Sequence, residues 1–572
     1  MSIAGAILLL VAQSSWAQQV APQADTAPPA VPPGQIAPQP LVNGGAGGYG
    51  AAQLFSPFPK EGALVPPSFA VPGLKPAAEA PRALAVTLGV AGHEQFSDNV
   101  YSTSSSTRSD FITSGDTSVG VDVDTRRMKG GLKYDVGYDK YATNSQLDGF
   151  RQDGIGLFDV EVIDQRLFLN GRASVSQQSI SPSGPATAGT RTAAANLVTV
   201  YTGSIAPRFQ QRFSDLALAQ IAYHHDETRY QNASQATPPA TSTTVTAANL
   251  NASQTDGGRL EVRSGESFTR LLWDYTGDVN RNTVSGNTFD QISHTVGTEY
   301  RVTADFGLLA AAGDDYLHST VVDVSQYGGG FFNAGVHWTP SPNVDLRVGA
   351  GRRYDKTDYI ALASYWPGPR TVIRLSTDSG VTTDALSFEQ ALNAVQRDET
   401  GGFISPFTGL AANPSASPFA RSNGIYLRRD SDLVVRYDEA RDSVAVTARV
   451  AEQQLLGATT TLNSPALAGA TTGSTTTVLG AYLSWMHYFT PAFTGMAVVS
   501  EFDTIGNGVV GRLKQRKGSL SLNYSLNPTL MGTLGYDVAA TIPSPSAATS
   551  SATAISGTVI ENMIAVGLHK TF

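Results

Sequence analysis

The eight histidines are the residues of this sequence best suited to bind a metal or to exchange protons, but their spacing does not form a site. They occur as His93, His224, His225, His294, His318, His337, His487 and His569. His224 and His225 are adjacent, and neighbouring residues on a strand point to opposite faces, so this pair cannot share a metal. The sequence contains no His-Glu-x-x-His motif, no phosphate-binding loop, no acidic Ca²⁺ loop and no cysteine. We therefore expect no catalytic, cofactor-binding or metal site, and no enzymatic activity.

A second set of charged residues alternates with apolar ones, and this spacing suits a wet surface rather than a reaction. In one example, Lys133 and Asp135 alternate with Leu132, Tyr134 and Val136. A period of two is typical of a strand with two different faces. On the lipid-facing side of a membrane barrel, Lys or Arg costs about 2–4 kcal/mol at the bilayer midplane, so we place these charges in the lumen. The candidate pore-lining residues are Asp122, Asp124, Lys133, Asp135, Asp139, Arg347, Arg353, Arg428, Arg436, Arg449, Glu501 and Asp503.

The end of the sequence is the strand that must close such a barrel. Ile564, Val566, Leu568 and Phe572 share one face, and small or polar residues lie between them. Such a strand needs neighbours on both edges, because unpaired backbone groups are costly where water is absent. A terminal aromatic after an alternating segment is typical of the closing strand of a bacterial outer-membrane β-barrel.

The connections between strands decide the architecture, since alternation alone also fits a soluble sandwich. Short turns recur at 339–343, 490–492, 527–529, 212–215 and 438–442. Between them are long polar segments at 179–196, 231–255, 457–474 and 541–556. Alternating short and long connections on opposite rims are typical of outer-membrane barrels, with the short ones in the periplasm. Proline at the turns also fits, because it cannot donate to a β-ladder.

Aromatic residues precede three of the proline turns, in His337-Trp338, His487-Tyr488-Phe489 and Tyr524. At that height they would form the periplasmic aromatic girdle of a barrel. The alternative is ordinary packing of aromatic rings beside a turn.

Composition and length agree with one large barrel. Hydrophobic residues make up 41% of the chain and charged residues only 15%. The turns predict an all-β, single antiparallel up-and-down transmembrane β-barrel at 84–572, of about 22 strands within a range of about 18–24. The formal net charge of −9 argues against nucleic acid as a partner. No segment reaches the roughly 18 consecutive apolar residues that indicate a membrane-spanning helix.

The N-terminal part predicts export. Ile3 to Ala12 is a short apolar run, and Ser15-Trp16-Ala17 resembles a signal-peptidase site, so 1–17 reads as a signal peptide. No Lys or Arg precedes the run, so either the signal is weak or the true start lies upstream. Residues 18–83 are rich in Pro, Ala and Gly and predict a disordered periplasmic segment. The alternative is that this segment contacts a periplasmic partner or lodges in the pore mouth.

The region from 355 to 421 is the least regular. We expect strands at 359–365 and 370–377 around a turn at 367–369, followed by a long extracellular loop at 379–422. Ser387 to Gln390 resembles a capping box, and Phe388, Ala391, Leu392 and Val395 then share one helical face. We expect this helix on the surface; the alternative is a segment that folds inward and narrows the pore.

Two stretches carry a resemblance to a known family. The first stretch is Glu94 to Tyr101 on the first hairpin, and the second runs from Tyr365 to Thr383, through a loop with a short helix, to Asn423–Arg429 and Arg441–Val444. Both are similar to large outer-membrane β-barrels of exosortase (PEP-CTERM) and exopolysaccharide loci. These are relatives of a β-barrel porin group. The resemblance covers residues 84–572, its motifs mark strands rather than chemistry, and Lys570 departs from the apolar residue common near that position. It implies an envelope channel tied to polysaccharide export.

The sequence thus predicts a channel in the outer membrane of a Gram-negative cell that takes part in secretion of an exopolysaccharide or another polar polymer. The alternatives are a general or substrate-specific diffusion porin, and a surface or adhesin barrel that does not conduct. Expected partners are outer-membrane lipid and lipopolysaccharide, the barrel-assembly machinery, and periplasmic polysaccharide-export components. No cofactor is expected.

Overall fold

The computed structural model describes residues 83–179, 188, 197–232, 250–397, 403–404, 419, 422–458, 472–506, 512–543 and 557–572. The predicted signal peptide (1–17) and all but the last residue of the predicted N-terminal extension (18–83) lie outside the described residues.

Segments of alternating apolar and polar residues form long antiparallel strands. The first fifteen are β1 (Leu84–Ser97), β2 (Asp110–Asp124), β3 (Met128–Tyr141), β4 (Gly149–Ile163), β5 (Leu167–Ser179), β6 (Leu197–Phe213), β7 (Ala217–Asn232), β8 (Ser253–Ser264), β9 (Leu271–Val284), β10 (Asn287–Arg301), β11 (Phe306–Ser319), β12 (Gly329–Ser341), β13 (Val344–Arg353), β14 (Lys356–Gly368) and β15 (Thr371–Thr383). Helix α1 (Asp384–Asn393) and the short strands β16 (Gln396–Arg397) and β17 (Phe403–Ile404) follow. The remaining strands are β18 (Gly424–Asp438), β19 (Asp442–Ala458), β20 (Thr475–Thr490), β21 (Phe493–Gly506), β22 (Leu513–Asn527), β23 (Leu530–Pro543) and β24 (Val559–Thr571).

These strands close into one barrel. A single 22-stranded sheet contains every strand except β16 and β17, which form a small ladder of their own. Each strand pairs antiparallel with its neighbour in sequence, and β15 pairs with β18 across the intervening connection. The last strand returns to the first, with β1–β24 pairing from Gly89↔Thr571 to Ser97↔Met563. The predicted barrel, its strand number and the closing role of the terminal strand are confirmed.

The two rims of the barrel differ in their connections. One, here called the turn rim, has tight connections such as 342–343, 491–492 and 528–529. The other, the loop rim, carries the long connections, including 384–423. Two tight turns also lie on the loop rim, at Ser285–Gly286 and Tyr354–Asp355, where all four residues have positive φ. That conformation matches the twist of a two-residue hairpin.

The outer face of the wall is apolar. Ile564, Val566 and Leu568 of β24 and the terminal Phe572 that follows it are between 50% and 67% exposed. Near the turn rim, Trp338, Phe489 and Tyr524 are also exposed, and Phe489 and Phe493 stack with ring centroids 4.9 Å apart. These three rings therefore lie on the face and at the rim that the predicted girdle requires, and their role as a girdle stays a prediction.

An apolar exterior on a closed barrel is the form in which strands cross a bacterial outer membrane, where the short turns face the periplasm. The chain is an outer-membrane β-barrel. Among the described residues, no helix has the length and apolarity needed to cross a bilayer.

Candidate functional site in the barrel lumen

The strand register sorts each side chain to one face of the wall. Residues paired across strands share a face, and their neighbours in sequence lie on the other one. On β2 and β3, for example, Val121 pairs with Leu132 on the outer face, and Asp122 pairs with Gly131 on the lumen face. The lumen face can hold charges because water, not acyl chains, fills it.

All but two of the predicted pore-lining residues lie on the lumen face. They are Asp122, Asp124, Lys133, Asp135, Asp139, Arg347, Arg353, Arg428, Arg436 and Arg449. Whether they line a conducting path stays a prediction, but the structure places them where the alternation pattern indicated.

Glu501 and Asp503 are the exceptions, and their assignment to the lumen was wrong. The strand register places Glu501 and Asp503 on the outer face of β21, the same face as the exposed side chain of Val499. Glu501 accepts from Arg516 Nε at 2.8 Å, and Asp503 from Arg512 Nε at 2.9 Å. Both residues lie in the half of β21 nearer the loop rim, where the cost of a charge on the lipid face falls, and that cost is smaller for Asp and Glu than for Lys and Arg.

The charges in the lumen are arranged as local pairs. On β4, Arg151 donates to Asp139 at 3.2 Å and also to Asp116, which lies 3.3 Å from His93. Arg151 and Asp116 were not predicted as pore-lining residues, although the same alternation continues through β2 and could have identified Asp116.

A second pair lies across the lumen from the first. Arg353 donates to both carboxylate oxygens of Asp315 at 2.7 Å and lies over the Phe331 ring at 4.2 Å from its centroid. In both places acidic and basic side chains pair locally. Neither place therefore presents a surface of a single charge sign to the lumen.

The wall is interrupted between β14 and β15. Their ladder stops at Leu362↔Ser376, and toward the loop rim the Thr377 hydroxyl accepts instead from the Ala361 N–H at 2.7 Å. Beyond that point Ser379 donates to Asp358, a lumen-facing residue of β14, at 2.7 Å. The upper part of β15 therefore leaves the wall and leans into the lumen.

The leaning part of β15 and β18 packs against the inner face of β10 and β11, which only β12 to β14 separate from β15 along the wall. Val381 is fully buried against Phe289, Leu317 and Tyr354. Phe289 and Leu317 belong to the lumen face of β10 and β11, because they pair in the same rows as Asn282 and Gln291. An apolar cluster thus fills part of the lumen near the loop rim.

Helix α1 follows β15 directly and crosses the lumen. It packs against β5, β6 and β7, which β8 to β14 separate from β15 along the wall. Its N-cap is Thr383, whose hydroxyl accepts from the Leu386 N–H at 3.2 Å. Two expectations were therefore wrong: the helix begins before Ser387, and it folds inward rather than lying on the surface. The long connection also runs from 384 to 423 instead of 379–422, since β15 extends to Thr383.

Polar side chains hold α1 against the wall. The Glu389 carboxyl, which is 1% exposed, accepts from Thr255 Oγ1 at 2.6 Å and from Thr228 Oγ1 at 3.2 Å. Asn393 donates to Asp226 at 3.1 Å, and Asp226 also binds His224. Burial and the neighbouring Asp226 carboxylate raise the pKa of Glu389 well above its ordinary value. Phe388 adds an apolar contact with Val198 and Val200.

The chain after α1 reaches a second part of the wall. Arg397 of β16 donates to the Gly130 carbonyl at 2.5 Å and to the Asp122 carboxylate. Gly131 leaves room for this contact, because a Cβ there would lie 3.1 Å from the Arg397 side chain and 3.3 Å from Phe403. Gly130 and Gly131 are near the turn-rim end of β3, whereas Thr228 is near the loop-rim end of β7. We call residues 384–423 the inserted segment: its described parts contact the wall at two heights.

Nothing in the described parts of the chain resembles a metal centre. No group of three His, Asp or Glu side chains there is arranged to hold an ion.

Comparison with known proteins gives fold likeness only. No protein-family model matches the sequence, and no curated protein matches it. Among solved structures, the siderophore receptor PirA from Acinetobacter baumannii is similar at 10% identity and a TM-score of 0.42, over 85% of this chain and 80% of that one. The FrpB iron transporter from Neisseria meningitidis (F3-3 variant) is similar at 11% identity and a TM-score of 0.44, over 87% and 83%. A mutant of the ferric enterobactin receptor PfeA from Pseudomonas aeruginosa is similar at 10% identity and a TM-score of 0.43, over 85% of this chain and 81% of that one. At these values the similarity carries no argument about what this chain does.

Proposed function

We propose that this chain is a gated outer-membrane channel for a hydrated polar polymer, and that its cargo is an exopolysaccharide on its way out of the cell. The observation that carries the proposal is the inserted segment. Its helix crosses the lumen, and side chains rather than a β-ladder fix it to the wall. A wide barrel obstructed by a detachable element is suited to opening on demand.

The chemistry of the lumen supports a neutral, hydroxyl-rich cargo. Pairs such as Arg353 with Asp315 and Arg151 with Asp139 neutralise each other locally. A pore lined in this way offers many hydrogen-bond donors and acceptors and no dominant charge, which suits polyols more than ions. The resemblance to barrels of exopolysaccharide loci agrees with this cargo.

A diffusion porin is the second candidate, because an inserted segment that only narrows the lumen would make the same contacts. The two functions differ in the state of the pore. A porin is steadily open to small solutes, whereas an exporter is closed until its cargo or a partner opens it.

The proposal can be tested in the cell that makes the protein. Removal of the gene should abolish surface polysaccharide and leave the polymer in the periplasm, and the wild-type gene should restore export. A matched strain carrying a variant without α1 should leak maltodextrins and other small solutes into the periplasm. If surface polysaccharide is unchanged on gene removal while uptake of a small solute falls, the chain is a diffusion porin and the export role is wrong.

A further inference from the structure

The loop-rim half of β14 has an edge without a strand partner. The ladder between β14 and β15 ends at Leu362↔Ser376, whereas β14 stays paired with β13 on its other side as far as Arg353↔Lys356. Residues 356–361 of β14 therefore face a gap in the wall where β15 has turned into the lumen. In a bilayer an unpaired strand edge is costly, and a barrel normally removes such edges by closing on itself.

Side chains bind the backbone groups along this edge. The Thr377 hydroxyl accepts from the Ala361 N–H at 2.7 Å and donates to the Tyr359 carbonyl at 3.2 Å. Arg429 of β18 donates to the Thr357 carbonyl at 3.0 Å. Residues 357, 359 and 361 are alternate residues of β14, and alternate residues of an antiparallel strand direct their backbone groups to the same neighbour. The bonded groups are thus the ones that a neighbouring strand would use.

The upper part of β15 fits this edge in the register that the two strands already have. Continued beyond Leu362↔Ser376, that register pairs Ala361 with Thr377, Tyr359 with Ser379, Asp358 with Gly380, Thr357 with Val381 and Lys356 with Thr382. The two faces agree as well. Asp358 and Gly380 both belong to the lumen side of their strands, because Asp358 pairs with Gly351 and Gly380 with Arg428. Residues 377–382 are therefore patterned as a wall strand, although they do not lie in the wall.

One apolar row of the β15–β18 ribbon suits both places. Val381 pairs with Leu427, and Ile425 lies on the same face two residues further along β18. In the structure this face is buried against Phe289 and Leu317 on the lumen side of β10 and β11. In a completed wall the same face would meet acyl chains, which is the usual environment of the outer face of a barrel. A ribbon with two suitable packings is the kind of element from which two-state switches are built.

We propose that residues 377–383 and the part of β18 paired with them are the moving part of the gate. In the docked position, which the structure shows, the ribbon lies in the lumen. In the wall position, residues 377–382 complete the ladder with residues 356–361. Helix α1 follows its N-cap Thr383 directly, so movement of β15 into the wall draws α1 away from β5 to β7 and clears the lumen.

The exchange of bonds makes the two positions comparable in free energy. Movement into the wall replaces the side-chain bonds of Thr377 and Arg429 with backbone ladder bonds. It also brings Arg429 to the outer face, in the loop-rim half of β18, where the cost of a cation on the lipid face falls. The two-position gate rests on the proposed function only for the obstruction of the lumen, and it does not depend on which cargo passes.

Paired cysteines distinguish the two positions, and the chain has no cysteine of its own. In the docked position Ser379 donates to Asp358 at 2.7 Å, so Asp358→Cys with Ser379→Cys should form a disulfide that holds α1 in the lumen. In the wall position Gly380 lies opposite Asp358 instead, so Asp358→Cys with Gly380→Cys should form a disulfide only there. Ala363→Cys with Leu375→Cys is the matched control, because these two residues pair in the existing ladder.

Disulfide formation is followed by mass spectrometry of the full-length barrel oxidised in lipid vesicles, and conductance is recorded in planar bilayers before and after reduction. The docked pair should abolish openings until it is reduced, and the wall pair should hold the channel steadily open. The control pair should leave the open time of the wild type unchanged. If Gly380→Cys does not fold, Lys356→Cys with Thr382→Cys takes the next lumen-facing pair of the same register and should also hold the channel open.

Three results would overturn the gate: openings of wild-type duration in the barrel with the docked disulfide, failure of both wall pairs to form while the control pair forms, or a closed channel once a wall disulfide has formed. None of these results bears on the cargo. If the disulfides act as expected but removal of the gene leaves surface polysaccharide unchanged, the gate stands and the export role is wrong.

Discussion

The barrel wall and the inserted segment are built from the same chain but held by different forces. In the wall, backbone ladders connect each strand to two neighbours, and the ring is closed between β1 and β24. The inserted segment is joined to the wall by side chains such as Glu389 and Arg397. In a bilayer every backbone hydrogen bond of the wall is needed, because no water replaces it.

This difference predicts a hierarchy of stability. The segments of a protein that open most easily are those with few backbone hydrogen bonds and few buried contacts. The wall should therefore remain intact while α1 leaves its docking place on β5 to β7. The following changes are ordered from the largest expected effect to the smallest, and each weakens one of the two regions.

The largest effect is expected from Arg353→Ala in the lumen wall. Arg353 and Asp315 are 5% and 3% exposed, and the substitution leaves a buried carboxylate without its partner. Breaking a buried pair in this way costs about 3–5 kcal/mol. The free energy of unfolding in urea, measured in lipid vesicles, should fall by that amount. An unchanged midpoint would show that the pair is hydrated and that the lumen wall is not packed there.

Leu520→Arg should come next, through the lipid-facing side of the wall. Leu520 is 47% exposed on the outer face of β22, and Lys or Arg at the bilayer midplane costs about 2–4 kcal/mol. The adjacent residue Ser521 faces the lumen, because it pairs with Met496 and Gly535. Ser521→Arg is thus the matched control and should cost much less in the same unfolding measurement. Equal losses for the two variants would contradict the assignment of the faces.

The wall was predictable from sequence because its rules are local. Alternation in Leu132 to Tyr138 defines two faces, and proline turns such as Pro491 and Pro528 define where strands end. Alternation does not show where along the barrel axis a residue lies, however, and so does not show whether it faces acyl chains or the membrane interface. That is why Glu501 and Asp503 were assigned to the lumen, although charges on the outer face are tolerated near the loop rim.

The inserted segment was not predictable in the same way. Phe388 and Leu392 form one apolar helical face, and such a face fits a surface groove and a lumen wall equally well. The partners that decide between them, Thr228 and Thr255, are far away in sequence. From the sequence alone, an acidic residue such as Glu389 is expected to be exposed to solvent, because the buried partners that would hold it inside the barrel are not known.

Glu389→Ala should release α1 without weakening the wall. The substitution removes the acceptor of the Thr228 and Thr255 hydroxyls, and loss of such a buried hydrogen bond costs about 1–3 kcal/mol. We expect the open time of single channels in planar bilayers to rise, while the urea midpoint of the barrel remains that of the wild type. A shifted midpoint with unchanged open time would mean that α1 belongs to the wall.

The same contact should respond to pH. Burial and the nearby Asp226 carboxylate raise the pKa of Glu389 when α1 is docked, so the docked form holds its proton more tightly than the free form. Docking is then most stable below the ordinary glutamate pKa of about 4.3 and weakens as the pH rises above it. Open time should increase with pH over that window. Glu389→Gln keeps one acceptor oxygen and puts an N–H₂ donor in place of the other, to which a threonine hydroxyl can accept. Because the amide does not titrate, the open time of this variant should lose the pH dependence; an identical pH profile would contradict the role of Glu389.

The smallest effect is expected from Arg516→Ala on the outer face. Arg516 and Glu501 form an exposed pair with an N–O distance of 2.8 Å. Exposed pairs contribute about 0–1 kcal/mol. Neither the urea midpoint nor the open time should change by more than that, and a loss as large as that of Arg353→Ala would mean that the outer pair is not exposed.

The conductance of single barrels in planar bilayers tests the central claim most directly, that the inserted segment obstructs the lumen. The comparison is between the wild type and a variant in which a short Gly-Ser linker replaces residues 386–421, with heat-modifiable migration as the folding control. The wild type should be closed or open only in brief events, and the variant should be steadily open with a large conductance. A wild type that is steadily open with the same conductance as the variant would contradict the account.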